Sequence, residues 1–312
     1  MNDTSVDDTV HNSRRVEQLI VGQPTTDGAG VKLIRVLTHD LQRRLDPFLM
    51  LDAFRSDDPN DYIAGFPDHP HRGFETVTYM IDGRFAHQDS HGGGGLITDG
   101  ATQWMTAGSG ILHIETPPAE LVESGGLFHG VQLWVNLPRK DKFASPRYQS
   151  IEGTAVELLA SEDGGALVRV IAGSVGEHAG PGQTHTPIAL AHATVQPGAR
   201  LNLPWNRQFN ALVYVLSGRG TVGPAGQPIQ HGQLAVLGRG DRISVAADAT
   251  QDGNRPALEV LLLGGQPIRE SVVQYGPFVM NSKSEVLQAL EDFNAGRFGS
   301  LPPNALTPHR AH

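Results

Sequence analysis

The 312-residue chain has no cysteine, which excludes disulfides, thiolate metal sites and cysteine nucleophiles. Any metal must therefore be held by imidazole and carboxylate groups. Charged residues are only 18% of the chain, the formal net charge is −9, and no dense Lys/Arg cluster is present to neutralise a phosphate backbone. Direct nucleic-acid binding is not expected. No apolar run reaches the roughly 18 residues of a membrane-spanning helix. The N-terminus, MNDTSVDDTVHNSRR, is acidic and polar, without the basic start and apolar stretch of a secretory leader. The expectation is a cytoplasmic protein without a membrane partner.

Glycine (37) and proline (21) are abundant, and Val, Ile and Thr recur in short runs, the pattern of many short strands joined by tight turns. Strands are predicted at 31–37, 75–81 and 130–137, and a second series at 166–173, 189–195, 211–218, 233–238 and 258–265. The length favours two domains. A tail at 1–15 is expected to be mobile, followed by an N-terminal module at 16–145, a C-terminal module at 146–282, and a helix with a loose tail at 283–312. The weakly periodic stretch 138–165 is the candidate linker. SEVLQALEDFNAG (284–296) predicts one amphipathic helix, with Val286, Leu287, Leu290 and Phe293 on its apolar stripe, Ser284 as N-cap and Gly296 past its end. His309 and His312 read as solvated tail residues.

The chain repeats itself. HPHRGFETVTYMIDG (69–83) lies on PWNRQFNALVYVLSG (204–218) without gaps, pairing Arg72 with Arg207, Phe74 with Phe209, Val77 with Leu212, Tyr79 with Tyr214 and Gly83 with Gly218. Gly100 and Gly108 likewise fall on Gly232 and Gly240. The possible ligands have no counterparts: His69 falls on Pro204, His71 on Asn206, Glu75 on Asn210, His113 on Val245 and Glu115 on Ala247. The first copy carries a candidate site; the second reads as structural.

In a strand, residues i and i+2 share a face, so His69 and His71 project together, as do His113 and Glu115. Two strands can thus offer four ligands to one divalent ion. Imidazoles suit iron, copper, nickel and zinc, and the absence of thiolates argues against a closed structural zinc site. Iron(II) is the expected ion, with Ni, Co, Mn, Cu and Zn as alternatives. Four protein ligands on an octahedral ion leave two positions for substrate and O₂ or water.

GFPDHPHRGFETVTYMIDG (65–83), DGATQWMTAGSGILHIE (99–115) and HGVQLWVNLP (129–138), with DPFLMLD (46–52) and YGPFVMN (275–281), resemble the pirin family of the cupin superfamily across roughly residues 30–295. The resemblance implies an all-β protein of two antiparallel cupin (jelly-roll) β-barrels with a short C-terminal helix. It also implies a metal in the N-terminal barrel only, on His69, His71, His113 and Glu115. Glu75, at the H-x-H-x₃-E spacing of other cupins, is placed outside the ligand set, in the surrounding shell at most. AHQDSHG (86–92) makes His87 and His91 candidate pocket residues, with turn histidines the competing reading. Gln103 and Trp104 are candidate pocket or core residues, and His129 either orients a ligand or bonds backbone. The GGGG run at 92–95 and Arg239-Gly240-Asp241 read as turns.

The resemblance points to quercetin 2,3-dioxygenase-like chemistry, in which an aromatic small molecule and O₂ are the partners and Glu115 accepts the proton of the flavonol hydroxyl. The alternative it leaves open is an iron-binding, redox-sensing regulator that binds a protein partner without turnover.

Overall fold

The structure is a computed structural model and describes residues 13–251, 256–307 and 309. Residues 1–12 of the tail expected at 1–15, and His312, lie outside the described residues. In chain order the strands are β1 (Val16–Val21), β2 (Gln23–Asp27), β3 (Val31–Leu37), β4 (Phe48–Ser56), β5 (Phe66–His71), β6 (Phe74–Asp82), β7 (Phe85–Asp89), β8 (Gly94–Ile97), β9 (Thr102–Thr106), β10 (Ile111–Thr116), β11 (Phe128–Asn136) and β12 (Arg147–Ile151). They continue as β13 (Glu157–Ala160), β14 (Ala166–Ala172), β15 (Ser174–Val175), β16 (His178–Ala179), β17 (Ile188–Val195), β18 (Arg200–Pro204), β19 (Asn210–Ser217), β20 (Arg219–Val222), β21 (Gln227–Gln230), β22 (Gln233–Leu237), β23 (Arg242–Ala247), β24 (Leu258–Gly265), β25 (Val273–Tyr275) and β26 (Phe278–Met280). The all-β expectation holds, as does a single longer helix near the C-terminus, Lys283–Asn294.

The chain forms two compact units. One contains residues 23–155 and the stretch from Ile268 onward. Among its described residues a large sheet ordered β12-β9-β6-β11-β4-β3-β2 is matched by a smaller one, β5-β10-β7-β8. The other contains residues 156–267 and β1, with sheets β1-β22-β19-β24-β17-β14-β13 and β18-β23-β20-β21. The two orders correspond strand for strand, which gives the sequence repeat a structural basis. The sheets face each other as jelly-roll sandwiches and do not close into hydrogen-bonded barrels.

This grouping differs from the sequence boundaries in three places. The 16–21 segment pairs antiparallel with β22, Val21 opposite Gln233, so it joins the second unit; residues 268–282 join the first. The candidate linker 138–165 contains the edge strands β12 and β13, one for each unit. Of the residues in these two strands Ile151 alone is buried, so they carry little apolar alternation to announce them. In the tail, Arg14 is buried, donating from Nη1 to the Gly238 carbonyl at 2.8 Å.

The helix starts earlier than expected. Ser282 is the N-cap, accepting from the Glu285 N–H at 3.3 Å, while Glu285 Oε2 reaches back past the cap to accept from the Asn281 N–H at 3.0 Å, a relative of the capping box shifted by one residue. With that phase Val286 and Ala289 are buried, Leu290 and Phe293 pack beside Phe278 and Phe298, and Leu287 is exposed.

Candidate metal centre

β5 and β10 are antiparallel neighbours with His69 directly opposite His113 and Ile111 opposite His71. This register brings three imidazoles together: ring centroids are 4.3 Å apart for His69–His113, 4.7 Å for His69–His71 and 4.9 Å for His71–His113. One ring nitrogen from each lies within 4.8 Å of the others. His71 and His113 are buried. Burial holds all three below the ordinary imidazole range, with the neighbouring histidines adding to the effect on His71 and His113. The rings are therefore neutral and retain lone pairs.

Their fit to a cation is visible in the tautomers. His69 Nδ1 lies 2.7 Å from the Pro67 carbonyl, which can only accept, so Nδ1 carries the proton and Nε2 presents a lone pair. His113 Nε2 sits 2.8 Å from that Nε2. Two imidazole nitrogens this close need a proton or a cation between them. His113 Nδ1 is buried and has no protein partner among the described residues, so it can take the proton and free Nε2 as a ligand.

A bulge between His113 and Glu115 separates the fourth predicted ligand. Glu115 is buried, with Oε2 4.0 Å from His113 Nε2, and falls outside the three-histidine group. Gln132 Nε2 donates to Glu115 Oε2 at 3.1 Å and Oε1 at 3.4 Å; Gln132 Oε1 accepts from Trp134 Nε1 at 3.2 Å. Burial pushes the Glu115 carboxyl up to about 7, opposed by the Gln132 hydrogen bond.

Gln132 belongs to a polar rung crossing the large sheet. Arg35 is opposite Asp52, Asp52 opposite Gln132, Gln132 opposite Thr78 and Thr78 opposite Gln103. Directly opposed residues share a face, and the Gln132–Glu115 bond identifies it as the face toward the centre. Glu75 is three residues from Thr78 and lies on the reverse face, accepting from Thr106 Oγ1 at 2.7 Å; it does not surround the centre. Trp104, opposite Val77, is buried on that same reverse face, whereas Gln103 shares the face of the centre.

Other candidates separate cleanly. His87 is opposite Glu115, buried against Tyr148 at 4.9 Å, and pushed down to about 4 by burial; it is not in the three-histidine group. His91 is exposed beside Ser90. His129 Nδ1 lies 3.5 Å from Asp82 Oδ2. His309, expected to be solvated, is half-buried with Nε2 3.1 Å from the Pro117 carbonyl.

The segment after His71 is clamped from the C-terminal stretch. The Arg72 N–H donates to Pro277 O at 3.2 Å and the Val279 N–H to Arg72 O at 3.0 Å. The Arg72 guanidinium donates from Nε to Ser109 O at 2.7 Å, pairs through Nη1 with Asp292 at 2.7 Å and lies 4.5 Å from the Phe298 ring centre. Gly73 follows at φ +87°, where a Cβ would strike the Val279 carbonyl; only glycine lets the two backbones approach. The Lys142 ammonium donates to Gly73 O, Asn136 Oδ1 and Val279 O at 2.6–2.8 Å.

His69 and His71 open onto a cavity of about 490 Å³, whose lining includes Phe66, Trp134, Gln132, Arg35 and Pro277. Sequence reading missed Arg35, Asp52 and Gln132. The available signal was Gln132 and Trp134 alternating with Val131, Leu133 and Val135, two chemically distinct residues on one face of an otherwise apolar strand.

Two jelly-roll modules, one with a histidine cluster beside a cavity and one, among the described residues, without, define a bicupin with one candidate metal centre among those residues. The Pirin family model matches residues 30–135 and the Pirin C-terminal cupin domain model residues 190–299. A pirin-like protein of Caulobacter vibrioides is 43% identical over 91% of this chain and 99% of its own length. Human pirin is 37% identical over 92% of this chain and 95% of its own. The crystal structure of a quercetin 2,3-dioxygenase from Acinetobacter baumannii superposes with a TM-score of 0.85 at 36% identity, covering 92% of this chain and 99% of that one. The chain belongs to the pirin family.

Proposed function

We propose that this protein is a metal-dependent oxygenase that opens flavonols such as quercetin with O₂, using iron(II) on His69, His71, His113 and Glu115. The observation that carries the reading is the convergence of three neutral imidazoles, those of His71 and His113 buried and that of His69 half-buried, beside a cavity of about 490 Å³, a volume in the range of small-molecule sites. The similarity to the Acinetobacter baumannii enzyme supports it.

A bound divalent ion supplies Lewis acidity for a substrate hydroxyl and, as iron, one-electron exchange with O₂. The chain supplies the rest. His69 is fixed by its Nδ1–H bond to Pro67 O, which aims Nε2 at the centre. Glu115 completes the donor set and accepts the flavonol hydroxyl proton at Oε2, and Gln132 holds that carboxylate in place. Phe66 and Trp134 provide apolar wall against a flat ring and exclude water.

The test is metal analysis of purified protein coupled to O₂ uptake with quercetin, comparing wild type with His71→Ala. Wild type should carry about one metal per chain and consume O₂ only when loaded, and His71→Ala should lose most of the metal. Full metal content in His71→Ala sinks the site assignment. Loaded wild type that takes up no O₂ sinks the oxygenase and favours an iron-dependent regulator.

A further inference from the structure

The cavity wall carries a second constellation. Arg35 Nε donates to Asp52 Oδ1 at 2.9 Å, and Nη2 donates to Asp52 Oδ2 and Asp27 Oδ2, both at 2.7 Å. All three residues line the cavity that also contains His69 and His71. The two carboxylates engage one edge of the guanidinium, a fork-to-carboxylate pairing that fixes its plane. Nη1, with two N–H donors, has no protein partner among the described residues, and the side chain is 32% exposed.

The fold does not require this pair. In the other unit the same rung reads Val170, Ala191, Leu262, Val213 and Ala235, each opposite the next, and all five are in its apolar core. Arg35 and Asp52 thus stand where an identical strand order is satisfied by valine and alanine. A half-buried ion pair replacing apolar packing gains little stability after desolvation, which leaves recognition as its use. Arg35, Asp27 and Asp52 are the ionic side chains of the lining apart from the histidines. One guanidinium against two carboxylates gives this wall a net charge of −1.

We infer that Arg35 is a specificity-determining residue: Asp52 and Asp27 hold it rigid so that Nη1 donates to an uncharged oxygen (amide, ketone, ether or phenol) on a ligand whose other end reaches the histidines, and the wall rejects ligands with a carboxylate there. This rests on the reading of the cavity as the ligand site of the metal centre. A neutral acceptor gains a preorganised donor, whereas an anion meets two carboxylates that have already satisfied the guanidinium.

The test uses metal-loaded protein without O₂ and two nearly isosteric probes, 3-hydroxyflavone bearing a 4′-carboxamide or a 4′-carboxylate, with affinity read by calorimetry. Wild type should prefer the carboxamide by about tenfold or more. Asp27→Asn, at a half-exposed position, should narrow that preference several-fold at unchanged metal content. Arg35→Lys, which keeps the charge but loses the fork, should weaken the carboxamide. Equal affinities in wild type, a preference unmoved by Asp27→Asn, or no binding of either probe overturns the inference. Selective binding in a protein that takes up no O₂ with quercetin sinks the oxygenase reading alone and leaves Arg35 its role.

Discussion

The N-terminal and C-terminal modules build the same strand order around opposite interiors. In the first, the rung Arg35–Asp52–Gln132–Thr78–Gln103 faces the histidines; in the second, Val170–Ala191–Leu262–Val213–Ala235 occupies the corresponding places. On the small sheets, His69 opposes His113 in one module, whereas Leu201 opposes Val245 and Leu203 opposes Ile243 in the other. Trp205 packs into the second interior over Gly264, where any Cβ would strike its ring. The apolar version shows what the architecture needs to be stable. Every polar residue at a matching position in the first module replaces transfer free energy with hydrogen-bonding obligations, and those residues cluster where the ligands are.

Exchanging residues between the modules tests this contrast. The largest effect is expected from Leu262→Gln, which places the Gln132 side chain in the module lacking a glutamate to receive it. Lost apolar burial and an unsatisfied buried amide should together cost about 3 kcal/mol or more. Denaturant unfolding measures it, and a cost below about 1 kcal/mol would mean that this interior tolerates polarity. The reverse change, Gln132→Leu, removes the donor on Glu115 and should leave the fold intact while weakening metal affinity by roughly 10- to 100-fold, the usual effect of deleting a group that orients a ligand. Competition with a chelator reads that value; unchanged affinity would show that Glu115 needs no support.

Much of this contrast was legible in the sequence, because short runs rich in Val, Ile and Leu bounded by turn residues announce strands. β3, β14 and β24 lie where their runs predict, and the ligand-free second copy is evident from Val245 and Ala247 alone. What was not legible depends on partners distant in the chain. Arg35 and Asp52 are 17 positions apart and Gln132 lies far beyond both, and only register across β3, β4 and β11 aligns them. Glu75 has a ligand's spacing from His71, but the chain passes from β5 to β6 at Arg72-Gly73, so counting residues no longer tells which face the side chain takes. β1 pairs with a strand more than 200 positions away, information that no local pattern carries. Ser282 and Ser284 are both competent caps; the choice falls to Ser282, where Glu285 both donates its N–H to the cap hydroxyl and accepts from the Asn281 N–H.

The smallest expected effect concerns the clamp on His71, a feature the second module has no reason to keep. Asp292 is held down at about 2, first by its hydrogen bond with Arg72 and then by Gln288, with Arg297 also bonded to it. Because the folded value is below that of the unfolded chain, near 3.8, the pairing contributes stability above about pH 4 and loses it as pH falls toward 2. Gln288 and the exposed Arg297 share the same carboxylate, and an asparagine keeps an acceptor for Arg72, so the charge-dependent part of the pairing should stay within about 1 kcal/mol. Asp292→Asn should therefore be less stable than wild type at pH 7, with the gap closing between pH 4 and pH 2. Taking the difference between the two proteins cancels the other carboxylates that titrate in that window. If the gap is the same at pH 2.5 as at pH 7, the Arg72–Asp292 interaction is not electrostatic in origin, and the clamp rests on Phe298 stacking and the backbone bonds to Pro277 and Val279.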